Sequence, residues 1–257
     1  MKKTLFGLSL LTLTVVSPVF AAEPARDTRC YEMRTYTAAP GKLDGLNARF
    51  RNHTCRLFEK HGMANLGYWV PLENPEGKLI YLLAYPNREA RDQSWKAFMA
   101  DPDWQAAMKA SEADGKLVAK MESVFLSATD YSPEVKPVAS AEPRVFELRT
   151  YTAAAGRLGA LNARFRDHTL KLFARHGITN VGYWTPMKDQ KGAEETLIYL
   201  LAHQSREAAA ASFKAFGADA DWVAARKASE EKAGGALTVP DGVKSQFLRA
   251  TDYSPLK

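Results

Sequence analysis

Two histidines occupy matching settings, His53 before Thr54 and His168 before Thr169. Histidine is the side chain whose ordinary pKa lies near neutrality, so each is a candidate acid/base group or axial haem ligand. The competing reading is a core histidine hydrogen-bonded to a strand. Neither has a second ligand at metal-binding spacing, so no zinc or non-haem iron site is expected. Glu32-x-Arg34-x-Tyr36 and Glu147-x-Arg149-x-Tyr151 form a second pair of clusters. Alternate residues of a strand share a face, so Arg34 or Arg149 could grip an anionic ligand with Tyr36 or Tyr151 as donor. The competing reading is an internal Glu–Arg network, because desolvating a charge is costly unless it is paired. Trp69 and Trp184, with Tyr68, Trp95, Trp104, Tyr183 and Trp222, could wall an apolar pocket or fill a core. His61 and His176 stand where a last helical turn favours a cation. Arg49, Arg51, Arg56 and Lys60 read as a solvated helix face.

Several chemistries lack their signatures. The chain has no Gly-rich phosphate loop, no Gly-x-Ser-x-Gly elbow and no Cys-x-x-Cys. Nucleotide chemistry, serine hydrolysis and covalently attached haem are not expected.

These residues recur because the chain repeats itself. Residues 32–72 and 147–187 are identical at 26 of 41 positions, and 85–112 and 203–230 at 17 of 28. Ala128-Thr129-Asp130-Tyr131-Ser132-Pro133 returns as 250–255. The likeness is even along the repeat, so identity between copies cannot by itself pick out a site. Non-identical pairs such as Tyr85/His203 and Trp95/Phe213 show that the copies need not be equivalent.

One module reads as follows. Cys30 to Thr37 alternates and predicts a strand, and Pro40-Gly41 ends it. Lys42 to His61 predicts a helix, with Leu43, Leu46, Phe50, Leu57 and His61 within about 40° of one line. His53 and Thr54 then fall on the shoulders of that stripe, facing the sheet, and Cys55 about 140° away on the outer side. Gly62 suits the C-terminal cap. Leu66–Val70 and Leu79–Tyr85 are further strands, Arg88 to Ala100 a helix capped by Asn87, and Asp101-Pro102 a fresh helix start. Ser123–Ala128 is the last strand. The order β-α-β-β-α-β predicts an α+β fold of tandem ferredoxin-like repeats, each a sheet with helices on one face. The two open faces could meet as an intrachain pseudo-dimer resembling a dimeric α/β barrel. With Tyr31/Met33 and Phe146/Leu148 assigned to the helix side, the Glu-x-Arg-x-Tyr sets are expected inside the barrel.

The domains expected are a signal peptide over 1–21, modules over 29–133 and 144–257, and an extended Pro-containing linker over 134–143. Lys2 and Lys3, an uncharged run to Val16 and Val19-Phe20-Ala21 make a secretory signal cleaved after Ala21, too short for a membrane span. A periplasmic protein without a membrane anchor follows. Removing the two lysines lowers the net charge from +6 to +4, too little for a nucleic-acid partner. Cys30 and Cys55 have no cysteine counterparts in the second copy, where Val145 and Leu170 stand. The fold therefore needs no disulfide, and the helix phase points Cys55 away from the sheet.

Taken together, Glu32-x-Arg34-Thr35-Tyr36, Gly41-Lys42, His53-Thr54, His61-Gly62, Gly67-Tyr68-Trp69 and Trp104 resemble the NIPSNAP family. The second copy resembles it again through Glu147-x-Arg149-Thr150-Tyr151, Gly156, His168-Thr169, His176-Gly177, Gly182-Tyr183-Trp184 and Trp222. The resemblance implies membership of the dimeric α/β-barrel superfamily, whose ligands lie between sheet and helices. It implies no settled catalytic mechanism. The function expected is binding of a small, partly apolar molecule between sheet and helices, with Arg34, Tyr36, Trp69, Arg149, Tyr151 and Trp184 as ligand contacts. The alternatives are a cofactor-independent oxygenase or isomerase using His53 and His168, and a non-catalytic interaction module. No cofactor is expected, haem being the lesser alternative. A monomeric pseudo-dimer or a homo-oligomer would serve.

Overall fold

The computed structural model describes residues 27–138 and 144–257. The signal peptide expected over 1–21 and linker residues 139–143 lie outside them. The protein is α+β. In the first half the alternating run forms β1 (Cys30–Ala38). Next comes one long helix in three parts: α1 (Leu43–Arg49), a π-helical turn over Phe50–Thr54 and α2 (Cys55–Lys60). Gly62, at φ +76°, closes it, and the Met63 amide donates back to the Phe58 carbonyl at 2.9 Å. Strands β2 (Ala64–Pro71) and β3 (Lys78–Tyr85) follow. The Asn87 side chain accepts from the Ala90 amide at the start of α3 (Arg88–Ala100). Asp101 caps α4 (Pro102–Ser111), and β4 (Val118–Ala128) completes the half.

The second half repeats this sequence of elements. It runs β5 (Val145–Ala153), α5 (Leu158–Arg164), a π-helical turn over Phe165–Thr169, α6 (Leu170–Arg175), β6 (Thr179–Pro186) and β7 (Thr196–His203). Helices α7 (Arg206–Ala218) and α8 (Ala220–Lys232) and strand β8 (Thr238–Ala250) complete it. The strand order is β4-β1-β3-β2 in one half and β8-β5-β7-β6 in the other, all neighbours antiparallel. Pairing of β2 with β8 and of β4 with β6 closes the eight strands into a barrel.

An eight-stranded barrel is just wide enough for side chains to fill it. Here apolar residues of both halves do so. The Tyr31 ring packs 5.7 Å from Trp184, and Trp69 lies 5.7 Å from Phe146, beside Met33, Leu82 and Leu200. Gly67 and Gly182 explain the repeated Gly-Tyr-Trp. The tryptophan ring two residues on lies where a glycine Cβ would stand, 2.5 Å from it at Gly182. Every residue of β3 from Leu79 to Tyr85 is buried, because the other sheet covers one face and the helices the other.

This packing corrects two expectations. The Glu32-Arg34-Tyr36 and Glu147-Arg149-Tyr151 sets do not point into the barrel. They face the helices, because the apolar alternates Tyr31, Met33 and Phe146 close the interface between the sheets. Trp69 and Trp184 accordingly pack inside the barrel.

The π-helical turn corrects a third. Each π-type turn holds an extra residue, which rotates everything after it relative to a uniform α-helix. His53 and His168, expected to face the sheets, are exposed, while Thr54, Thr169 and Cys55 turn inward. The Thr54 hydroxyl donates to the Arg49 carbonyl at 3.2 Å, and Thr169 does the same to Arg164 at 3.1 Å, inside the widened turn.

The repeated Ala-Thr-Asp-Tyr-Ser-Pro forms reciprocal clasps. Ser254 Oγ accepts from the Tyr68 amide and Ser132 Oγ from the Tyr183 amide, each at 2.9 Å. Tyr253 donates to Asn47 at 2.7 Å and Tyr131 to Asn162 at 2.6 Å. Arg51 forks onto Asp252, and Arg166 onto Asp130. Each half thus ends on the long helix and second strand of the other. The described part of the linker is tied down too: Val135 is buried in the barrel core, and Val138 bridges Leu256.

Candidate functional site

Glu32 is fully buried between the first sheet and its helices. It pairs with Arg34 on its own strand and accepts from Ser123 at 2.7 Å and Tyr85 at 3.0 Å. From α3 it accepts Arg91 Nε at 3.0 Å and Nη2 at 2.9 Å, and Trp95 Nε1 at 3.2 Å. Burial alone would raise its pKa, but the Arg91 bonds, the Arg34 charge and Ser123 outweigh it and hold the carboxyl at about 2. A charged network of this kind was one of the two readings of the cluster, and it sits on the helix side of the sheet.

Arg34, Arg91 and Trp95 of this network line a cavity of about 440 Å³. The cavity runs between the sheet and the helices of the first half. Phe50, Phe58, Phe98 and Trp104 give it an apolar body. Arg34, Tyr36, Arg91 and Trp95 line its polar part. The Arg34 guanidinium lies 4.3 Å above the Trp95 ring. Arg49, expected in solvent, is buried and lines the same cavity. Helix α4 covers that flank, placing Glu112 2.8 Å from the Arg49 guanidinium and the Trp104 ring 5.3 Å below it. A volume in the range of small-molecule sites, an apolar body and a few fixed polar groups describe a ligand pocket.

The second half departs here. Glu147 pairs with Arg149, Ser245 and His203, the histidine at 3.1 Å. Counterparts of Tyr85, Arg91, Trp95 and Met99 are His203, Ala209, Phe213 and Gly217. Three of these positions, Arg91, Trp95 and Met99, line the cavity, and Tyr85 stands behind it in the Glu32 network. Arg91 was not singled out from the sequence, although its mismatch with Ala209 was the available signal.

Of the sequence candidates, the structure brings Arg34 and Tyr36 together at the cavity. Arg149 and Tyr151 sit equivalently in the second half, with Arg149 Nε donating to Tyr199 at 2.9 Å. His53 does not line the first-half cavity, and His168 lines two outer grooves of about 420 and 370 Å³ against α8. His61 and His176 contact the caps Asp101 and Asp219, each at 2.7 Å. Both cysteines are free. Burial pushes the Cys55 thiol up to about 12 and raises that of Cys30, so neither is a thiolate nucleophile at neutral pH. Among the described residues no group of three His, Cys, Asp or Glu is placed to hold a metal ion. No described helix is long and apolar enough to cross a membrane.

A sequence model of the NIPSNAP family matches residues 31–133 and 146–255. A curated relative, the NipSnap homolog of Dictyostelium discoideum, is 26% identical over 137 residues, which cover 52% of this chain and 54% of that protein. The chain thus spans about half the length of that relative. Among solved structures, a provisionally named monooxygenase from Fusobacterium nucleatum superposes with a TM-score of 0.57 at 8% identity. It covers 87% of this chain and 92% of its own. A provisionally named monooxygenase from Lactobacillus acidophilus gives 0.54 at 10% identity, over 87% of this chain and 94% of its own. At such identities the likeness is one of fold, and the fold is that of the dimeric α/β-barrel proteins. With the family pattern matched across both halves, the chain belongs to the NIPSNAP family.

Proposed function

We propose that this protein binds a small, partly apolar molecule in the cavity between the sheet and the helices of its first half. The carrying observation is the cavity itself. It has an aromatic body and a charged end held rigid by the Glu32 network. The barrel interior is packed with Tyr31, Trp69, Phe146 and Trp184. We read the two halves, 29–133 and 144–257, as ferredoxin-like modules paired within one chain. The identical strand order in each half supports this. We further read the protein as exported to the periplasm after cleavage behind Ala21, on the pattern of its first residues.

Turnover is not part of this reading. The oxygenase or isomerase alternative needs a base at the ligand, and the candidates His53 and His168 stand on outer helix faces. The solved relatives named as monooxygenases lend a fold and not a mechanism. The test is a titration with phenylnaphthylamine, a neutral apolar dye that brightens out of water. Saturable binding to the native protein, abolished by Val118→Trp on the cavity wall, is expected. No saturable binding, or binding that survives the filled cavity, would refute the reading.

A further inference from the structure

The cavity wall carries donors without acceptors. Arg34 Nε, Arg49 Nε and Trp104 Nε1 have no hydrogen-bond partner among the described residues. Their residues are only 4%, 6% and 8% exposed, and all three line the same cavity. A buried donor left unpaired costs free energy, so three in one place call for an acceptor that the chain does not supply.

Charge gives the same answer independently. Three arginines, Arg34, Arg49 and Arg91, line the cavity against one lining carboxylate, Glu112, with Glu32 behind them and the exposed Asp92 beside Arg91. In the second half Arg149 pairs with Glu147 and Arg164 with Glu230, which Arg226 shares, and Ala209 stands in place of Arg91. The second half satisfies one of the donors that the first leaves open, although Arg164 Nε is as unpaired there as Arg49 Nε is in the first. Arg149 Nε donates to Tyr199, whereas Arg34 Nε is without a partner. Arg34 lies 4.3 Å over Trp95, as Arg149 lies 4.8 Å over Phe213.

Resting on the binding function proposed above, we propose that the ligand carries an oxyanion, a carboxylate or sulfonate on an apolar ring-bearing body. Arg34, Arg49 and Trp104 hold the anion. The aromatic side chains hold the body. The first half is the binding half, because Arg91 engages the Glu32 carboxylate and leaves the Arg34 charge less fully offset.

The test compares two dyes of one skeleton, anilinonaphthalene sulfonate and phenylnaphthylamine, which differ by the sulfonate. Each is titrated against the intact protein, with energy transfer from Trp95 and Trp104 as a second readout. The sulfonate dye is expected to bind about tenfold tighter, the scale of one charge-assisted contact. Arg34→Met should erase that preference; Glu32 keeps Arg91, Ser123 and Tyr85 in this variant. Trp104→Phe, which removes a donor and keeps a ring, should weaken the sulfonate dye about threefold more than it weakens the neutral dye. Equal affinity for the two dyes would overturn the oxyanion and leave the binding cavity standing. A sulfonate preference unchanged in both variants would place the anion on surface cations and also overturn it. If neither dye bound, both proposals would fall.

Discussion

Arg91 meets Glu32 in a fork, Nε to Oε2 at 3.0 Å and Nη2 to Oε1 at 2.9 Å, and the second half has only Ala209 at that position. The fork joins α3 to β1 across the layer that holds the cavity. It fixes Glu32 as a buried anion, and the acid response of the protein follows from that.

Because the folded pKa of Glu32 is depressed, its contribution to stability is present above the ordinary glutamate value of 4.5 and is lost as pH falls toward about 2. The loss across that window is on the order of 3 kcal/mol. Urea midpoints measured between neutral pH and pH 2 should show it. Glu32→Gln should be less stable at neutral pH and show a flatter acid limb. An acid limb as steep in that variant as in the native protein would remove Glu32 as its source.

Replacing the first-half wall with its second-half counterpart is a test of specialisation. The variant Tyr85→His, Arg91→Ala, Trp95→Phe should fold, since the same set already surrounds Glu147 in this chain. Its affinity for phenylnaphthylamine should fall roughly five- to tenfold, as expected for about 1 kcal/mol of lost aromatic contact. Undiminished affinity in a folded variant would show that this wall does not form the site.

The two exposed histidines give a negative control with content. His53→Ala and His168→Ala, together, should leave dye binding unchanged and stability within about 0.5 kcal/mol, as for surface positions generally. A large loss of binding would return them to the site.

Two glycines should respond to alanine with opposite signs. Gly67→Ala drives a methyl into the Trp69 ring inside the barrel and should cost about 1–3 kcal/mol. Gly159, in α5 with nothing within 4 Å of its would-be Cβ, should gain about 0.5–1 kcal/mol. Denaturant midpoints of both variants decide the matter; a neutral Gly67→Ala would mean the barrel core yields more easily than its packing implies.

Much of the fold is legible in the residues. Alternation in β1, the Asn87 and Asp101 caps, the Gly62 stop and the repeat lead to the element order and to a barrel. What misleads is rotation and sidedness. A uniform step of 100° per residue puts His53 inside and Cys55 outside, and nothing in Phe50–Thr54 announces the extra residue of the π-helical turn. The face of β1 is ambiguous because both sides are buried, one carrying Tyr31 and Met33 and the other a fully paired Glu32. Arg49 looks like a surface charge until α4 is laid over it. Arg34 and Tyr36 are found because an arginine and a tyrosine on one strand face must share surroundings, whichever side that face takes. Arg91 stands out only when the copies are compared for differences.

The reciprocal clasps have a consequence for when the chain can fold. Arg51 finds Asp252 across 201 residues of sequence, and the Tyr68 amide finds Ser254 across 186. The second strand of the first half is therefore finished by residues synthesised long after it. Until they emerge, Tyr31, Met33 and Trp69 lack the sheet that covers them. Folding must end in one late closure set by distant partners, which is slow by its topology. Deleting the final ten or so residues should leave a chain that collapses but does not lock.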